Sequence, residues 1–311
     1  MIQSLESLHR AAQERGNRVL AVAAAQDAEV LLAVDAARKL GIATAILVGD
    51  ESRIRAIAHD HGISLEPHQI VPEPDPVQAC RKAVKLVREA GDAVMKGIVD
   101  TSVILKAVLD REIGLRDAPV LSHVALFQVP GFDRLLYVTD AAMNIAPDLE
   151  AKKHIIGNAV KVAHALGNPN PIVACLCAVE KVNPKMPATL DAAALVEANR
   201  AGSLPGCTVV GPLALDNAVS PEAARHKGIA DPCAGHADIL LVPNIETGNV
   251  FYKSLVFLAK AQNAGLIVGA KAPVIVTSRA TASKPTAFHR PGPGHCVHQP
   301  VTKEYHTYGR I

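Results

Sequence analysis

The feature that most constrains this chain is a regular alternation between short β-branched runs and longer amphipathic segments. RVLAVAAA precedes AEVLLAVDAARKLG, ATAILVGD precedes ESRIRAIAHDHG, and AVMKGIV precedes DTSVILKAVLDREIGL. Gly41, Gly62, Gly91 and Gly114 each follow a helical pattern, at the position where helices commonly end. Strands that alternate with helices predict an α/β fold in which helices cover mostly parallel sheets.

The alternation changes between residues 119 and 147. There, PVLSHVALFQVPGFDRLLYVTD predicts two adjacent strands joined by a Pro-Gly-Phe-Asp turn, with no helix between them. We expect the crossover between two domains at this point. The alternation then resumes and predicts further helices near 189–200, 221–227 and 250–262, followed by a strand in KAPVIVTSR.

Composition excludes several classes of partner. The 311 residues are 49% hydrophobic, which is enough for the core of one large or two medium α/β domains. Lys and Arg number 32 against 30 Asp and Glu, so the net charge of +2 provides no long-range attraction to nucleic acid or to an anionic membrane. Aromatic residues are only 3%, which also argues against base stacking. We expect no nucleic-acid and no membrane partner.

The sequence favours a cytoplasmic location. The six cysteines form no CxxC pair and no disulfide framework, which fits reduced thiols. Glu6 and Glu14 and a short apolar run argue against a signal peptide at the N-terminus. No segment approaches the ~20 apolar residues that a membrane-spanning helix needs.

The most informative polar residues follow the apolar run KAPVIV, where Ser278 and Arg279 come directly after a predicted strand. Ligands of open α/β sheets bind at the carboxyl ends of strands. The planar guanidinium of Arg279 suits phosphate oxygens, and Ser278 offers a small hydrogen-bond donor. A Ser-Arg pair alone also fits a solvated turn. The segment from residue 280 to 311 is rich in proline and histidine and is typical of a partly ordered tail.

A second polar turn occurs in ADILLVPNIETGNVFYKSL. Glu246, Gly248 and Asn249 open a predicted helix, and Lys253 follows one turn later, an arrangement that can hold phosphate. Tyr252 stands where a Walker A motif has glycine, so we reject nucleotide triphosphatase activity. An ordinary capped helix fits the same residues.

Two further segments offer candidate binding residues. Asp140 and Asn144 lie in the predicted crossover, where Asp140 suits a base, a ribose contact or a helix cap. Thr101 and Lys106 open another helix and suit an anionic ligand, although a solvent-exposed helix explains them equally well.

Other candidates have weaker support. His123 lies within an apolar strand, where a core histidine is favoured over a catalytic one. Cys175 and Cys177 have no nearby histidine and are expected to fill the core, so we predict no metal site. The absence of GxSxG and of GxGxxG after a strand argues against a serine hydrolase and a standard dinucleotide fold.

Six segments taken in order resemble the phosphate butyryltransferase and phosphate acetyltransferase family: MKGIVDT, LSHVALF, TDAAMNIAPDLE, GPLALDNAVS, ADILLVPNIETGNVFYKSL and PVIVTSRA. The resemblance covers residues 15–280. It implies two α/β domains of the isocitrate dehydrogenase-like type with the active cleft between them. The corresponding boundaries are 1–137 plus 274–311 for the first domain and 138–273 for the second. It also implies a homodimer or a higher homo-oligomer.

The resemblance implies a reaction and roles for the site residues. Phosphate attacks the thioester of a short-chain acyl-CoA within a ternary complex, and coenzyme A leaves without a covalent acyl-enzyme. Coenzyme A and phosphate are then substrates or products, and no cofactor is permanently bound. Arg279 binds phosphate and balances the oxyanion, and Ser278 donates a hydrogen bond to the reacting centre. Butyryl-CoA is the favoured substrate, with acetyl-CoA next.

This chain departs from the family pattern in two places. Lys106 stands where many relatives carry arginine, which removes the bidentate reach of the guanidinium. After Arg279, the sequence ATASKPTAFHRPGPG has no acidic residue to take the coenzyme A thiol proton in the reverse direction. Two alternatives therefore stay open: a non-catalytic protein that binds acyl-CoA or acyl phosphate, and a decarboxylating dehydrogenase on the same fold.

Overall fold

The computed structural model describes residues 1–276, which form ten α-helices and one eleven-stranded sheet. The strands are β1 Arg18–Ala23, β2 Ala43–Gly49, β3 Gln69–Pro72, β4 Ala93–Lys96, β5 Ser122–Gln128, β6 Leu136–Thr139, β7 Ile172–Leu176, β8 Thr208–Leu213, β9 Ile239–Leu241, β10 Gln262–Val268 and β11 Val274–Val276. The helices are α1 Leu5–Glu14, α2 Ala28–Lys39, α3 Glu51–Asp60, α4 Pro76–Glu89, α5 Thr101–Val108, α6 Leu149–Ala165, α7 Pro187–Arg200, α8 Leu215–Val219, α9 Pro221–His226 and α10 Ile245–Lys253.

The sheet order is β3-β2-β1-β4-β11-β10-β5-β6-β9-β7-β8. Seven of its ten strand pairings are parallel, and the three antiparallel pairings join β11, β10, β5 and β6 at its centre. The predicted α/β fold with a mostly parallel sheet is therefore confirmed. The predicted pair of adjacent strands is also present, because β5 and β6 pair directly in antiparallel register.

Helices cover both faces of the sheet, as the mainly apolar strands require. On one face, α4 and α5 pack over β1 and β4, and α10 packs over β5, β6 and β9. On the other face, α2 and α3 cover the first strands, and α6 and α7 cover the last ones. The half-buried strands β10 and β11 lie between these groups of helices.

Aspartate caps explain where four of the helices begin. Asp27, Asp50, Asp75 and Asp148 each accept a hydrogen bond from the backbone N–H three residues later. This bond satisfies one of the free N–H groups in the first helical turn. The starts of α2, α3, α4 and α6 are therefore determined by local sequence.

The structure corrects the helix predicted over 250–262. Helix α10 begins five residues earlier, because Asn244 caps it by accepting a hydrogen bond from the Thr247 N–H. A single wide helical turn at Ser254–Leu258 follows, and residues 262–268 are the central strand β10. The helix predicted near 189–200 is confirmed as α7 Pro187–Arg200, and the short helix predicted from Pro221 is confirmed as α9.

Candidate active site

The predicted catalytic pair, Ser278 and Arg279, lies outside the described residues. Strand β11 ends at Val276, which pairs with Lys96 at the end of the parallel strand β4. In the sequence, Ser278 and Arg279 follow this strand end, two and three residues after Val276.

Lys96 occupies this edge and was not among the candidates from the sequence. Its side chain is only 6% exposed, and its ammonium donates to the carbonyl oxygens of Gly97 at 3.1 Å and Val99 at 2.9 Å. These bonds fold the turn between β4 and α5 around a buried positive charge. A lysine that closes the apolar run AVMK, just before a glycine, was the available sequence signal.

The two candidates in α5 do not share a face of the helix. Thr101 is the half-buried first residue of α5, and Lys106 lies exposed in its last turn. Five positions in a helix with 3.6 residues per turn separate their directions by about 140°. Asp100, at the N-cap position, makes no side-chain capping bond.

Asp140 and Asn144 are brought together, but in a turn that uses most of their hydrogen-bonding capacity. The buried carboxylate of Asp140 accepts from the backbone N–H of Ala142 at 2.9 Å and of Met143 at 3.0 Å. Its second oxygen accepts from Asn144, both from the backbone N–H at 3.2 Å and from Nδ2 at 2.6 Å. Asn144 Nδ2 also donates to the carbonyl oxygen of Leu121 at 2.9 Å. These contacts give both side chains a role in shaping the 140–144 turn.

This turn supports the start of α10. A Cβ atom added to Gly248 would lie 2.7 Å from the Asp140 carbonyl oxygen and 2.8 Å from the Ala141 Cα, so only glycine permits this approach. The other candidates in this helix, Glu246, Asn249 and Lys253, are exposed. Their spacing of three and four residues places them on one face.

Between α5 and α10, a strip of half-exposed residues crosses the centre of the sheet. We call it the central strip, and it consists of His123, Asn263, Gly265 and Val276. Strand pairing places their side chains on the face that carries α5 and α10. The Tyr252 ring lies 6.0 Å from the His123 ring, measured between centroids. Its hydroxyl donates to Asn263 Oδ1 at 2.7 Å.

The central strip contains a titratable group with a perturbed pKa. Burial lowers the pKa of His123 from its usual 6.5, and the negative charge of Asp140 partly opposes that shift. His123 is therefore uncharged at neutral pH. The sequence favoured a core histidine at position 123. The burial of the ring agrees with that prediction, but its partial exposure was not predicted.

The comparisons with known proteins identify the family. The family model described as "Phosphate acetyl/butaryl transferase" matches residues 76–287, which is more than half of the chain. The chain belongs to this phosphate acetyl/butyryltransferase family. The resemblance predicted from six sequence segments is therefore confirmed.

Two curated relatives in the family match nearly the whole chain. Phosphate butyryltransferase of Clostridium acetobutylicum is 51% identical over 281 residues, covering 90% of this chain and 93% of that protein. Phosphate acetyltransferase of Thermotoga maritima is 44% identical over 286 residues, covering 92% and 96%. Both names describe acyltransferases.

A solved structure in the family supports the fold. The branched-chain phosphotransacylase from Enterococcus faecalis V583 superposes with a TM-score of 0.75 at 35% sequence identity. The match covers 85% of this chain and 92% of that one. The prediction of an acyltransferase family fold is thus supported by sequence and by structure.

Two hollows in residues 1–276 lie away from the central strip. The first, about 10 Å³, lies beside the ion pair of Lys152 and Asp191 and has room for about one water molecule. The second, about 440 Å³, is an open depression along residues 179–184. Neither adjoins β11.

Within the described residues, no group of three or more His, Cys, Asp and Glu side chains is placed to hold a metal ion. No helix in the same range is long and apolar enough to cross a membrane.

The five cysteines at positions 80, 175, 177, 207 and 233 are free thiols. Burial raises the pKa of the Cys80 thiol to about 11, which makes it a poor nucleophile at neutral pH.

Proposed function

We propose that this chain exchanges the coenzyme A of a short-chain acyl-CoA for inorganic phosphate, giving an acyl phosphate and free coenzyme A. The observation that carries the proposal is the family match over residues 76–287, which spans β11 and the Ser278-Arg279 pair. Butyryl-CoA is the favoured substrate and acetyl-CoA the next. Support for this order comes from the 51% identity to a phosphate butyryltransferase against 44% to a phosphate acetyltransferase.

We assign the chemistry to direct transfer in a ternary complex. A phosphate oxygen attacks the thioester carbonyl carbon, a tetrahedral oxyanion forms, and coenzyme A thiolate leaves. Arg279 would hold phosphate and balance the developing charge, and Ser278 would donate a hydrogen bond to the reacting centre. The buried ammonium of Lys96 at the adjoining strand end supports an anion-binding role for this edge. Coenzyme A and phosphate enter as substrates, and no permanently bound cofactor is required.

The remaining candidates are assigned to substrate binding. Thr101, Lys106, Glu246, Asn249 and Lys253 offer polar groups from α5 and α10, on the two sides of the central strip. Asp140 and Asn144 would contribute indirectly, because their hydrogen bonds hold the turn on which α10 rests.

We also propose two domains, 1–137 plus 274–311 and 138–273, with the active cleft between them. The distribution of the core supports a division into two parts, but it places strands β5 and β6 with the second part. Two clusters of buried apolar residues lie under helices α2 to α5, and they come from residues 20–121 and 267–276. Most of the buried apolar residues under helices α6 to α10 come from residues 120–268. The antiparallel strands β10 and β5 join the two parts of the sheet.

A homodimer or a higher homo-oligomer in the cytoplasm completes the proposal. Three apolar side chains on α10 and the turn after it support association: Val250, Phe257 and Leu258 are 66%, 51% and 80% exposed. Exposed apolar residues that lie together commonly mark protein contacts. Light scattering on the purified protein measures the assembly directly.

The decisive experiment measures free thiol release from butyryl-CoA and from acetyl-CoA, with and without phosphate. We expect phosphate-dependent release that Arg279→Ala reduces by at least 10²-fold, as expected when a preorganised oxyanion partner is removed. Arg200→Ala is the matched control, because Arg200 lies exposed on α7 and pairs only with Glu197 within the described residues. It should leave the rate unchanged.

Other outcomes separate the alternatives. Stabilisation by coenzyme A without thiol release would favour the non-catalytic binding protein. Stabilisation by NAD(P) with magnesium would favour the dehydrogenase. Equal loss in the Arg279 and Arg200 variants would contradict the role assigned to Arg279.

A further inference from the structure

The two ring nitrogens of His123 lie in different surroundings. Nδ1 is fully buried and has no hydrogen-bond partner among residues 1–276. Nε2 lies over Gly265 of the neighbouring strand β10, where an added Cβ atom would come within 2.8 Å of it. Glycine at position 265 therefore leaves the space that the imidazole occupies.

This difference determines the tautomer of the ring. In a neutral imidazole, one nitrogen carries the proton and the other a lone pair. A buried N–H without an acceptor is rarer in proteins than an under-satisfied acceptor. The proton of His123 therefore belongs on Nε2, which faces the partly exposed central strip.

The register places Nε2 beside the end of β11. Ile267 pairs with both His123 and Val274, so the antiparallel register brings Gly265 opposite Val276. Adjacent strands are about 4.8 Å apart. The imidazole above Gly265 is therefore about one strand spacing from Val276, which precedes Thr277, Ser278 and Arg279 in the sequence.

We propose that the Nε2–H group of His123 donates a hydrogen bond to the carbonyl oxygen of the acyl group during transfer, an inference that rests on the proposed acyltransferase function. As the phosphate oxygen bonds to the carbonyl carbon, the π electron pair moves onto the carbonyl oxygen, where His123 stabilises it. Collapse restores the carbonyl and breaks the C–S bond. The departing thiolate takes its proton from water, and His123 keeps its own proton throughout.

A neutral donor suits this position. Burial keeps the pKa of His123 below its usual value, so the ring stays neutral at neutral pH and takes up no second proton. Fixed neutral donors aimed at a developing oxyanion stabilise the transition state with no reorganisation at the moment of reaction. Arg279 would supply the compensating charge.

The test compares His123→Gln with His123→Leu. The Gln side chain retains an N–H donor, whereas Leu fills the site without one. We expect Leu to lower kcat by about 10²-fold, with the KM for phosphate little changed, and Gln to retain most of the wild-type kcat. A Leu variant with wild-type kcat, or equal loss in Gln and Leu, would overturn the proposal.

His68→Leu is the matched control. His68 is also half-buried, and one of its ring nitrogens, Nε2, has no partner in the described range. It lies beside β3, and its Nδ1 accepts a hydrogen bond from the Ala45 N–H. Rates are compared per folded protein, so a loss of stability in any variant does not imitate a loss of kcat. We expect His68→Leu to keep the wild-type kcat.

Nitrogen-15 NMR of labelled histidine tests the inference independently of turnover. The signals of His123, identified by their absence in His123→Gln, should report a protonated Nε2 and an unprotonated Nδ1 at neutral pH. Butyryl-CoA added without phosphate should shift the Nε2 signal. With thiol release intact, the opposite tautomer, a charged ring or an unshifted signal would overturn the role of His123 alone. Absent phosphate-dependent thiol release would overturn the acyltransferase function and, with it, this role.

Discussion

Tyr252 donates its hydroxyl hydrogen to Oδ1 of Asn263 at 2.7 Å, and this bond ties helix α10 to the central strand β10. The same tyrosine ring packs edge-on against Phe127, with 5.1 Å between ring centroids. Because Oδ1 of Asn263 is the acceptor, its amide N–H₂ group must face away from the tyrosine. The bond therefore determines how Asn263 presents its donors along the central strip.

Tyr252→Phe should lower the free energy of unfolding by about 1 kcal/mol, the usual contribution of one such hydrogen bond. It should also lower kcat/KM, because Asn263 loses its fixed orientation. Urea unfolding and initial rates measure the two effects. Tyr137→Phe is the matched control, since the described residues give its hydroxyl no hydrogen bond, and the prediction is wrong if both variants lose equal stability.

Gly248→Ala should destabilise the fold and displace the start of α10. The added methyl group would lie 2.7 Å from the Asp140 carbonyl oxygen, and backbone atoms cannot move aside cheaply. Overpacking of this kind costs about 1–3 kcal/mol. Thermal unfolding and thiol release should both show the loss.

Gly157→Ala provides the control for that substitution. Gly157 also lies within a helix, α6, but an added Cβ atom would meet nothing within 4 Å. Alanine in a helix interior is more favourable than glycine by up to about 1 kcal/mol. The variant should be as stable as wild type or more so, and equal destabilisation by both substitutions would contradict the packing argument.

The fold was largely predictable because its signals are local. Aspartate caps and apolar periodicity mark α2, α3 and α4, and each lies where the pattern places it. Strand β10 was not predicted, because the predicted helix ended at Gln262, its first residue, and no strand was assigned to residues 263–268. Its conformation comes from pairing with β5 and β11 on either side, which is tertiary information.

The candidate site was predictable only in outline. The sequence placed Asp140 after the second of two adjacent strands, where the structure has it. The four hydrogen bonds that occupy its carboxylate depend on a turn whose geometry the pattern does not specify. His123 was correctly expected in an apolar strand. Its partial exposure depends on Gly265, which is distant in sequence and adjacent only through sheet register.

Asp140→Asn should cost about 2–3 kcal/mol of unfolding free energy, because the amide group would face two of the four donors that now meet the carboxylate. Asp148→Asn is the control, since Asp148 accepts one capping bond from the Ala151 N–H and asparagine caps equally well. Chemical unfolding of both proteins gives the comparison. Similar stability of the two variants would contradict the structural role of the Asp140 carboxylate.

The pH dependence of stability provides a test of His123 burial. The pKa of His123 is lowered in the folded protein, so the unfolded chain binds a proton more readily as the pH falls below about 6.5. The stabilisation associated with the neutral ring is therefore complete above that pH and is lost as the pH falls toward the lowered folded pKa. Among the neighbouring groups, Asp140 opposes the shift, and Tyr252 stays neutral because burial raises its pKa. The Lys96 ammonium, on β4, lies farther away across the sheet.

His123→Leu removes this contribution and leaves the other titrating groups in place. Between pH 7 and pH 5, wild type should lose stability relative to His123→Leu by up to about 1.4 kcal/mol per pH unit, the limit for one proton. Urea unfolding at several pH values measures the difference between the two proteins. A difference in unfolding free energy between the two proteins that stays constant across this range would mean that His123 titrates as it does in the unfolded chain. The burial of its Nδ1 atom would then have no energetic consequence.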